Sequence, residues 1–334
     1  MPKIKNISQL FTEFKKLRVL IIGDVMLDAY LWGKVERISP EAPVPIVTIS
    51  KRENRLGGAA NVAVNIQSLG AKPILCSVIG NDTGGRQFIE LLHQCGMSTD
   101  GILQSNERVT TVKTRVIGNH HQMLRVDDEA DGDIPVGVRR QLEGRITELI
   151  ATKKIDVIIF EDYDKGVIGK NLISHVVKLA RSKNIPTAVD PKKKNFNHYK
   201  DVSLLKPNLK ELREGMKLDI EKANTKELSM AVAKLARDNR IGSLLVTLSE
   251  KGAFVFSKQE EKLIPAHIRN IADVSGAGDT VISVAALCLA LRVSPVTMAT
   301  LANLAGGLVC EKIGVVPVER DQLIKEAKGL KILQ

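Results

Sequence analysis

The stretch Asp273-Val-Ser-Gly-Ala-Gly-Asp279 runs straight into Thr280-Val-Ile-Ser-Val-Ala-Ala-Leu-Cys-Leu-Ala-Leu291, and this pairing constrains the fold most. Twelve small or apolar residues without a breaker predict a buried helix, which needs packing partners on every side. The Gly-Ala-Gly turn sits at its N-terminus. There the unpaired N–H groups and the positive end of the helix dipole make an anion site. Asp279, in the first turn, can cap the helix or accept a proton from a hydroxyl held beside that site. Both parts together, donors for moving charge and a base for the attacking oxygen, are what phosphoryl transfer requires. A bare glycine turn with an aspartate cap accounts for shorter matches of this kind.

Elsewhere apolar strands alternate with helical patterns. Arg18-Val-Leu-Ile-Ile-Gly23, Pro73 to Ile79, Asp156 to Phe160 and Pro186 to Val189 read as buried strands, and Ile168 to Lys183 as one intervening helix. Such alternation predicts a mostly parallel sheet with helices on both faces. Asp24 and Asp28 follow the first strand, where open α/β sheets bind ligands. Val44 to Ser50 is broken by prolines and reads as an edge or lid strand. Thr110 to Val116 and Gln122 to Val126 alternate around Gly118-Asn119 and predict a hairpin. Leu56-Gly-Gly-Ala-Ala-Asn61 opens a helix that stops at Gly70. Its Gly57 and Gly58 allow close approach of a ligand, and the Asn61 amide can bond two hydroxyls. Asn208 and Glu211 have capping-box spacing.

The chain has 334 residues, 44% of them hydrophobic but only 3% aromatic, so its core is aliphatic. Its net charge of +11 is spread along the sequence, with few aromatics beside Lys192-Lys193-Lys194 to stack bases. A positive field suits anionic small substrates better than nucleic acid. No apolar run is long enough for a membrane span, and Met1-Pro-Lys-Ile-Lys-Asn6 lacks a signal-peptide core. A cytoplasmic protein without nucleic-acid or membrane partners is expected. Cys76, Cys95, Cys288 and Cys310 are expected to be buried free thiols. His120-His121 has no metal-ligand spacing.

Asp-x-x-Gly-Ala-Gly-Asp-Thr before a small-residue helix resembles the C-terminal signature of the ribokinase-like (PfkB) carbohydrate kinases, with Val274 replacing the usual Thr. Gly23-Asp-Val-Met-Leu-Asp28 and Arg37-Ile-Ser-Pro-Glu-Ala-Pro-Val-Pro-Ile46 resemble one subfamily, the bacterial kinases for D-glycero-β-D-manno-heptose 7-phosphate. The resemblance covers roughly Arg18 to Val318. It implies a three-layer α/β/α ribokinase-like domain over residues 1–334, with a β-lid from about 24–52 and 108–127. The implied activity is ATP-dependent phosphorylation of that heptose phosphate at its anomeric hydroxyl, a step towards ADP-heptose and the lipopolysaccharide core. The alternatives are another sugar or nucleoside kinase of this family, or a non-catalytic sugar-binding protein.

By the same resemblance Asp279 is the base, and the amides of Gly276, Ala277 and Gly278 hold the developing charge. Asp24, Asp28, Gly57, Gly58, Asn61, Arg125, Lys165 and Lys192 contact the sugar or its phosphate. Asp164 departs from the usual Ala beside Lys165. Asn208 and Glu211 stand near ATP and Mg²⁺, chiefly through water. Thr247, Ser249 and Gly252 form a nucleotide turn in which Ser249 replaces a family Gly, and Asn303 lies beside the adenine. Asp273 and Ser275 mark a candidate K⁺ site. A homodimer through the lid is implied. So is a separate adenylyltransferase, because the chain ends at Gln334 without a nucleotidyltransferase domain.

Overall fold

The computed structural model of the chain describes residues 4–119, 121–218 and 225–333. The first three residues of the N-terminal stretch, and His120 of the histidine pair, lie outside them. In chain order the elements are α1 (Ile7–Phe14), β1 (Arg18–Gly23), β2 (Val25–Ile38), β3 (Pro45–Gly58), α2 (Ala59–Ser68), β4 (Lys72–Gly80), α3 (Thr83–Gln94) and β5 (Ile102–Ser105). There follow β6 (Val112–Gly118), β7 (His121–Asp128), α4 (Val136–Thr152), β8 (Val157–Glu161), α5 (Lys170–Ser182), β9 (Thr187–Asp190) and β10 (Leu204–Leu205). The last are α6 (Leu209–Met216), α7 (Thr225–Asn239), β11 (Ser243–Thr247), β12 (Ala253–Ser257), β13 (Glu261–Ile264), α8 (Ala277–Ala290), α9 (Pro295–Val309) and α10 (Arg320–Gly329).

Nine strands form one sheet in the order β13-β12-β11-β10-β9-β8-β1-β4-β5. It is parallel from β5 to β11, and β12 and β13 add an antiparallel edge. Buried strands read as continuous apolar runs because both faces are covered. In β1, Val19 and Ile21 enter the core under α1, α2, α8 and α9, whereas Leu20 and Ile22 enter the core under α4, α5 and α7. This period-two alternation makes three layers.

The predicted buried helix is α8. It packs on α2, α9, β8 and β9, which explains an apolar surface on all sides. Its neighbours α2 and α9 are also rich in Ala and Gly, so the helices can approach closely.

A second sheet, β3-β2-β6-β7, stands apart from the main one. Its β2 and β3 are 14 residues each and pair from Val25↔Gly58 to Ile38↔Pro45. The edge strand predicted over Val44–Ser50 is therefore only the outer half of β3. Gly57 and Gly58 end that strand instead of opening the helix, which begins at Ala59. Gly58 has φ of +59°, and a Cβ there would meet the Asp24 carbonyl oxygen at 2.5 Å. Cys76, Cys288 and Cys310 are buried, but Cys95 is exposed at the end of α3, where the chain turns off the helix.

Candidate active site

Four neighbouring parallel strands, β1, β8, β9 and β10, deliver their C-terminal ends to one place. The residues there are Asp24, Glu161, Asp190 and Lys206. Opposite them stands the N-terminus of α8. Gly276 precedes it with φ of +78°, a left-handed conformation that glycine adopts without strain. A Cβ on Gly276 would also come within 2.9 Å of the Asn61 side-chain nitrogen. The Ala277 amide closes the turn onto the Val274 carbonyl at 3.3 Å, so it points into the turn. The first-turn amides of Gly278 and Asp279 have no intrahelical acceptor. Of the three amides expected at an anion site, that of Gly278 is open and that of Ala277 is turned inward.

Asp279 is buried, and each carboxylate oxygen has one partner. Asn61 Nδ2 donates to Oδ2 at 2.6 Å, and the Tyr163 hydroxyl donates to Oδ1 at 2.7 Å. Burial pushes this carboxyl up to about 6, while the two hydrogen bonds pull it down. Such a group is ionised at neutral pH yet basic enough to take a hydroxyl proton. Asn61, expected to bind sugar hydroxyls, gives one side-chain N–H to the base. It is 1% exposed and is itself held by Asn65.

One carboxylate oxygen each from Glu161, Asp190 and Asp279 lie within 4.8 Å of one another. Asp190 is paired with the buried ammonium of Lys206 at 2.7 Å. Glu161 is wholly buried, and neither of its oxygens has a hydrogen-bond partner among the described residues. Burial first, and then the charges of Asp190 and Asp279, raise its carboxyl well above the ordinary range. Buried polar groups are rarely left orphaned. The cluster is chemically suited to a hard divalent cation, which takes carboxylate oxygens and offsets their repulsion. A Cβ on Gly278 would have Lys206 Nζ as its nearest neighbour, at 3.5 Å. The Lys206 cation thus lies beside Gly278.

Sequence reasoning missed Glu161, Tyr163 and Lys206. Glu161 could have been found as Asp24 was, as a carboxylate closing a buried strand. Lys206 gave no signal, because its charge partner is far along the chain.

Asp28 meets Gly57 at close range, since a Cβ on Gly57 would sit 2.2 Å from its Oδ2. Its other oxygen is ion-paired with Arg115 of β6. Arg115 and Arg55 both lie over the Tyr30 ring, at 5.4 and 4.9 Å from its centre. Asp28, Gly57 and Gly58 are therefore brought together at the root of the lid.

Asp24, Lys192, Arg125 and Lys165 all have protein partners. Asp24 is 1% exposed and accepts from the backbone amides of Tyr163 (2.9 Å), Lys165 (3.2 Å) and Val167 (2.9 Å). These bonds fix the 163–167 loop to the end of β1. Lys192 is ion-paired with Glu211 and lies 5.3 Å from the Tyr163 ring centre and 3.6 Å from Asp190. It stands beside the capping box. Although burial lowers it, Asp190 and Glu211 together hold its ammonium above the usual lysine range. Arg125 is half exposed and bonds Asp127 on its own strand at 2.9 Å. Lys165 donates to Glu129 and Asp131.

The capping box is present, with Asn208 accepting from Glu211 N and Glu211 from Asn208 N, both at 2.8 Å. Asn208 also bridges to Thr247 at the end of β11. Ser249, where the resembling pattern has glycine, adopts φ of +56°, and Gly252 closes that turn onto Leu248 at 2.7 Å. Asn303 on α9 donates to the Pro265 carbonyl at 3.0 Å. Asp273 accepts from Ser275 N (3.0 Å), Ser275 Oγ (2.8 Å) and Gly314 N (2.9 Å). These bonds organise the turn before α8.

Residues 16–321 match the model of the pfkB family carbohydrate kinases. The chain belongs to that family. It is 38% identical over 321 residues to the bifunctional protein HldE of Pelobacter propionicus, spanning 96% of this chain and 65% of that one. It is 39% identical over 318 residues to the HldE of Helicobacter pylori strain J99, spanning 95% and 68%. The chain thus spans about two thirds or less of the first of these relatives. Among solved structures, phosphofructokinase-2 from Escherichia coli in complex with potassium superposes with a TM-score of 0.77 at 18% identity, covering 94% of this chain and 99% of that one. Ribokinase of Arabidopsis thaliana complexed with ribose and ATP gives 0.70 at 18% identity, covering 92% and 98%. These two show the same ribokinase-like fold. Among the described residues no helix is long and apolar enough to cross a membrane.

Proposed function

We propose that this pfkB family member transfers the γ-phosphoryl group of ATP to the anomeric hydroxyl of D-glycero-β-D-manno-heptose 7-phosphate. The observation that carries the reading is Asp279, buried, held by Asn61 and Tyr163, and set beside the open amides of α8. A protein that only binds sugar has no use for a base so oriented. The heptose assignment rests on the N-terminal resemblance and on the similarity to HldE proteins.

In this reading the acceptor hydroxyl donates its proton to Asp279 as its oxygen attacks the γ-phosphorus. The amides of Gly278 and Asp279 and the Lys206 ammonium face the charge that develops. Tyr163 and Asn61 keep both oxygens of the base in place, and Asp28 and Arg115 receive the sugar at the lid root. Glu161 and Asp190 would hold Mg²⁺, with Asn208 and Glu211 acting through water. The metal would neutralise phosphate charge. ATP would lie along the 247–252 turn and α9, where exposed Ile268 and Ile271, in the stretch tied to Asn303, offer apolar surface to a base. The proposal includes a homodimer through the lid, a cytoplasmic location where ATP is available, and an adenylyl-transfer step acting next.

The test is ADP release over a panel of sugars and sugar phosphates, with the new phosphate located by phosphorus NMR. Heptose 7-phosphate should give the highest kcat/KM and a 1,7-bisphosphate. Preference for a free hexose or a nucleoside would remove the heptose assignment and leave another kinase of the family.

A further inference from the structure

Asn61 and Asn65 lie four residues apart on α2 and so share a helix face, in a helix that packs on α8. Asn65 is wholly buried, and both ends of its side-chain amide are fully bonded. Oδ1 accepts from the Val318 amide at 3.0 Å and from the Thr280 hydroxyl at 3.1 Å. Nδ2 donates to the Asn61 backbone carbonyl at 3.0 Å and to Asn61 Oδ1 at 3.3 Å. Two of these partners have no choice of role. A backbone N–H can only donate and a backbone carbonyl can only accept, so Val318 and the Asn61 carbonyl decide which end of the Asn65 amide is which. The second N–H of Asn65 then claims Asn61 Oδ1, and Asn61 is left with its nitrogen facing Asp279 Oδ2 at 2.6 Å.

We infer that Asn65 is a positioning residue for phosphoryl transfer: it fixes the orientation of the Asn61 amide, so that an N–H and not an oxygen meets the Asp279 carboxylate. This rests on the reading of Asp279 as the base. The two orientations of an amide fill almost the same space, and only hydrogen bonds tell them apart. Turned over, Asn61 would set its oxygen against a carboxylate oxygen and its N–H groups against those of Asn65. In a buried site such unpaired groups are expensive, so Asn65 holds the amide from behind. The hold matters most once Asp279 has taken the acceptor's proton, because a carboxyl O–H would bond an amide oxygen and be kept there. The reference for the whole relay comes from far along the chain. Val318 lies between α9 and α10, 253 positions after Asn65.

The experiment is a double-mutant cycle on kcat with Asn61→Leu, Asn65→Leu and the pair, read by ADP release on the sugar that the wild type turns over best. Asn65→Leu should lower kcat about tenfold, the scale of one hydrogen bond to a charge, with KM for ATP and for the sugar within about twofold of wild type. On the Asn61→Leu background the same substitution should cost nothing further, since Asn61 is the route by which Asn65 acts. A loss that persists in full on that background, or an Asn65→Leu kcat equal to wild type, would overturn the positioning role. Should Asn65→Leu fail to fold, Asn65→Asp carries the same cycle, because it still accepts from Val318 and Thr280 but, when ionised, has no hydrogen to give Asn61. Asp279→Asn is assayed beside them. Activity within a few-fold there would remove the base reading and the inference with it, whereas an inactive Asp279→Asn with normal turnover in Asn65→Leu would remove the role of Asn65 alone.

Discussion

The Tyr163 hydroxyl donates to Asp279 Oδ1 across 2.7 Å, joining the loop after β8 to the first turn of α8. The residues are 116 positions apart, and the contact forms only when both strand ends and the helix are in place. It orients the carboxylate and opposes the rise in its pKa caused by burial. Tyr163→Phe should therefore shift the acid limb of the pH–rate profile upward by about one unit, the scale of one hydrogen bond to a charge. An unmoved limb with unchanged kcat would reduce Tyr163 to packing.

With its carboxyl pushed up to about 6, Asp279 is protonated in weak acid. The kcat/KM of the wild type should fall about tenfold per unit below that pH. Asp279→Asn should lose at least about 10²-fold in kcat, the usual scale for removing a general base, with little change in ATP affinity. Activity within a few-fold of wild type would make Asp279 a helix cap.

The same group predicts how stability depends on pH. Its native value of about 6 lies above the ordinary 3.8, so between those limits the folded state binds more protons than the unfolded chain. Stability contributed by this group falls as pH rises through that window. Asp279→Asn removes the effect. From below pH 4 to above pH 7, the stability difference should move in the variant's favour by about 2–3 kcal/mol, at 1.36 kcal/mol per unit. Denaturant titrations at both pH values measure it, and a constant difference would contradict a raised carboxyl.

Gly57→Ala places a methyl where Asp28 Oδ2 now lies, at 2.2 Å. It should displace the carboxylate from Arg115 and raise KM for the sugar at least about tenfold, with KM for ATP nearly unchanged. A rise in both would point to a general disturbance of the lid.

Lys192→Ala should raise KM for ATP at least about tenfold and affect phosphorylated and free sugars by one factor, since Lys192 is ion-paired with Glu211. A loss confined to the phosphorylated sugar would put Lys192 back at the distal phosphate.

Local chemistry made much of this legible. Thr280 to Leu291 could only be a buried helix, and the Gly-Ala-Gly turn before it had to be an N-terminus. Arg18–Gly23 and Asp156–Phe160 announced buried strands because both faces of the sheet are covered. What the residues concealed was pairing. Nothing near Lys206 shows that Asp190 neutralises it, so a lysine inside the protein was not foreseen. Asn61 and Asp24 read as ligands for sugar, and the positions that bring them to the site also give them protein partners at distant points of the chain that the sequence does not reveal. Lys192 follows a strand as a substrate cation would, and only the packing of α6 reveals Glu211 beside it. Ser249 has the reverse character: its left-handed backbone is the conformation implied by the glycine it replaces.

Asp24 gathers the amides of Tyr163, Lys165 and Val167 onto the end of β1. Loop amides usually trade their hydrogens with solvent quickly, because small local openings suffice. These three are shut away by a carboxylate more than 130 residues earlier in the chain. Their exchange must await separation of β1 from the loop, so a segment without regular secondary structure should keep its deuterium label as long as the strands that flank it.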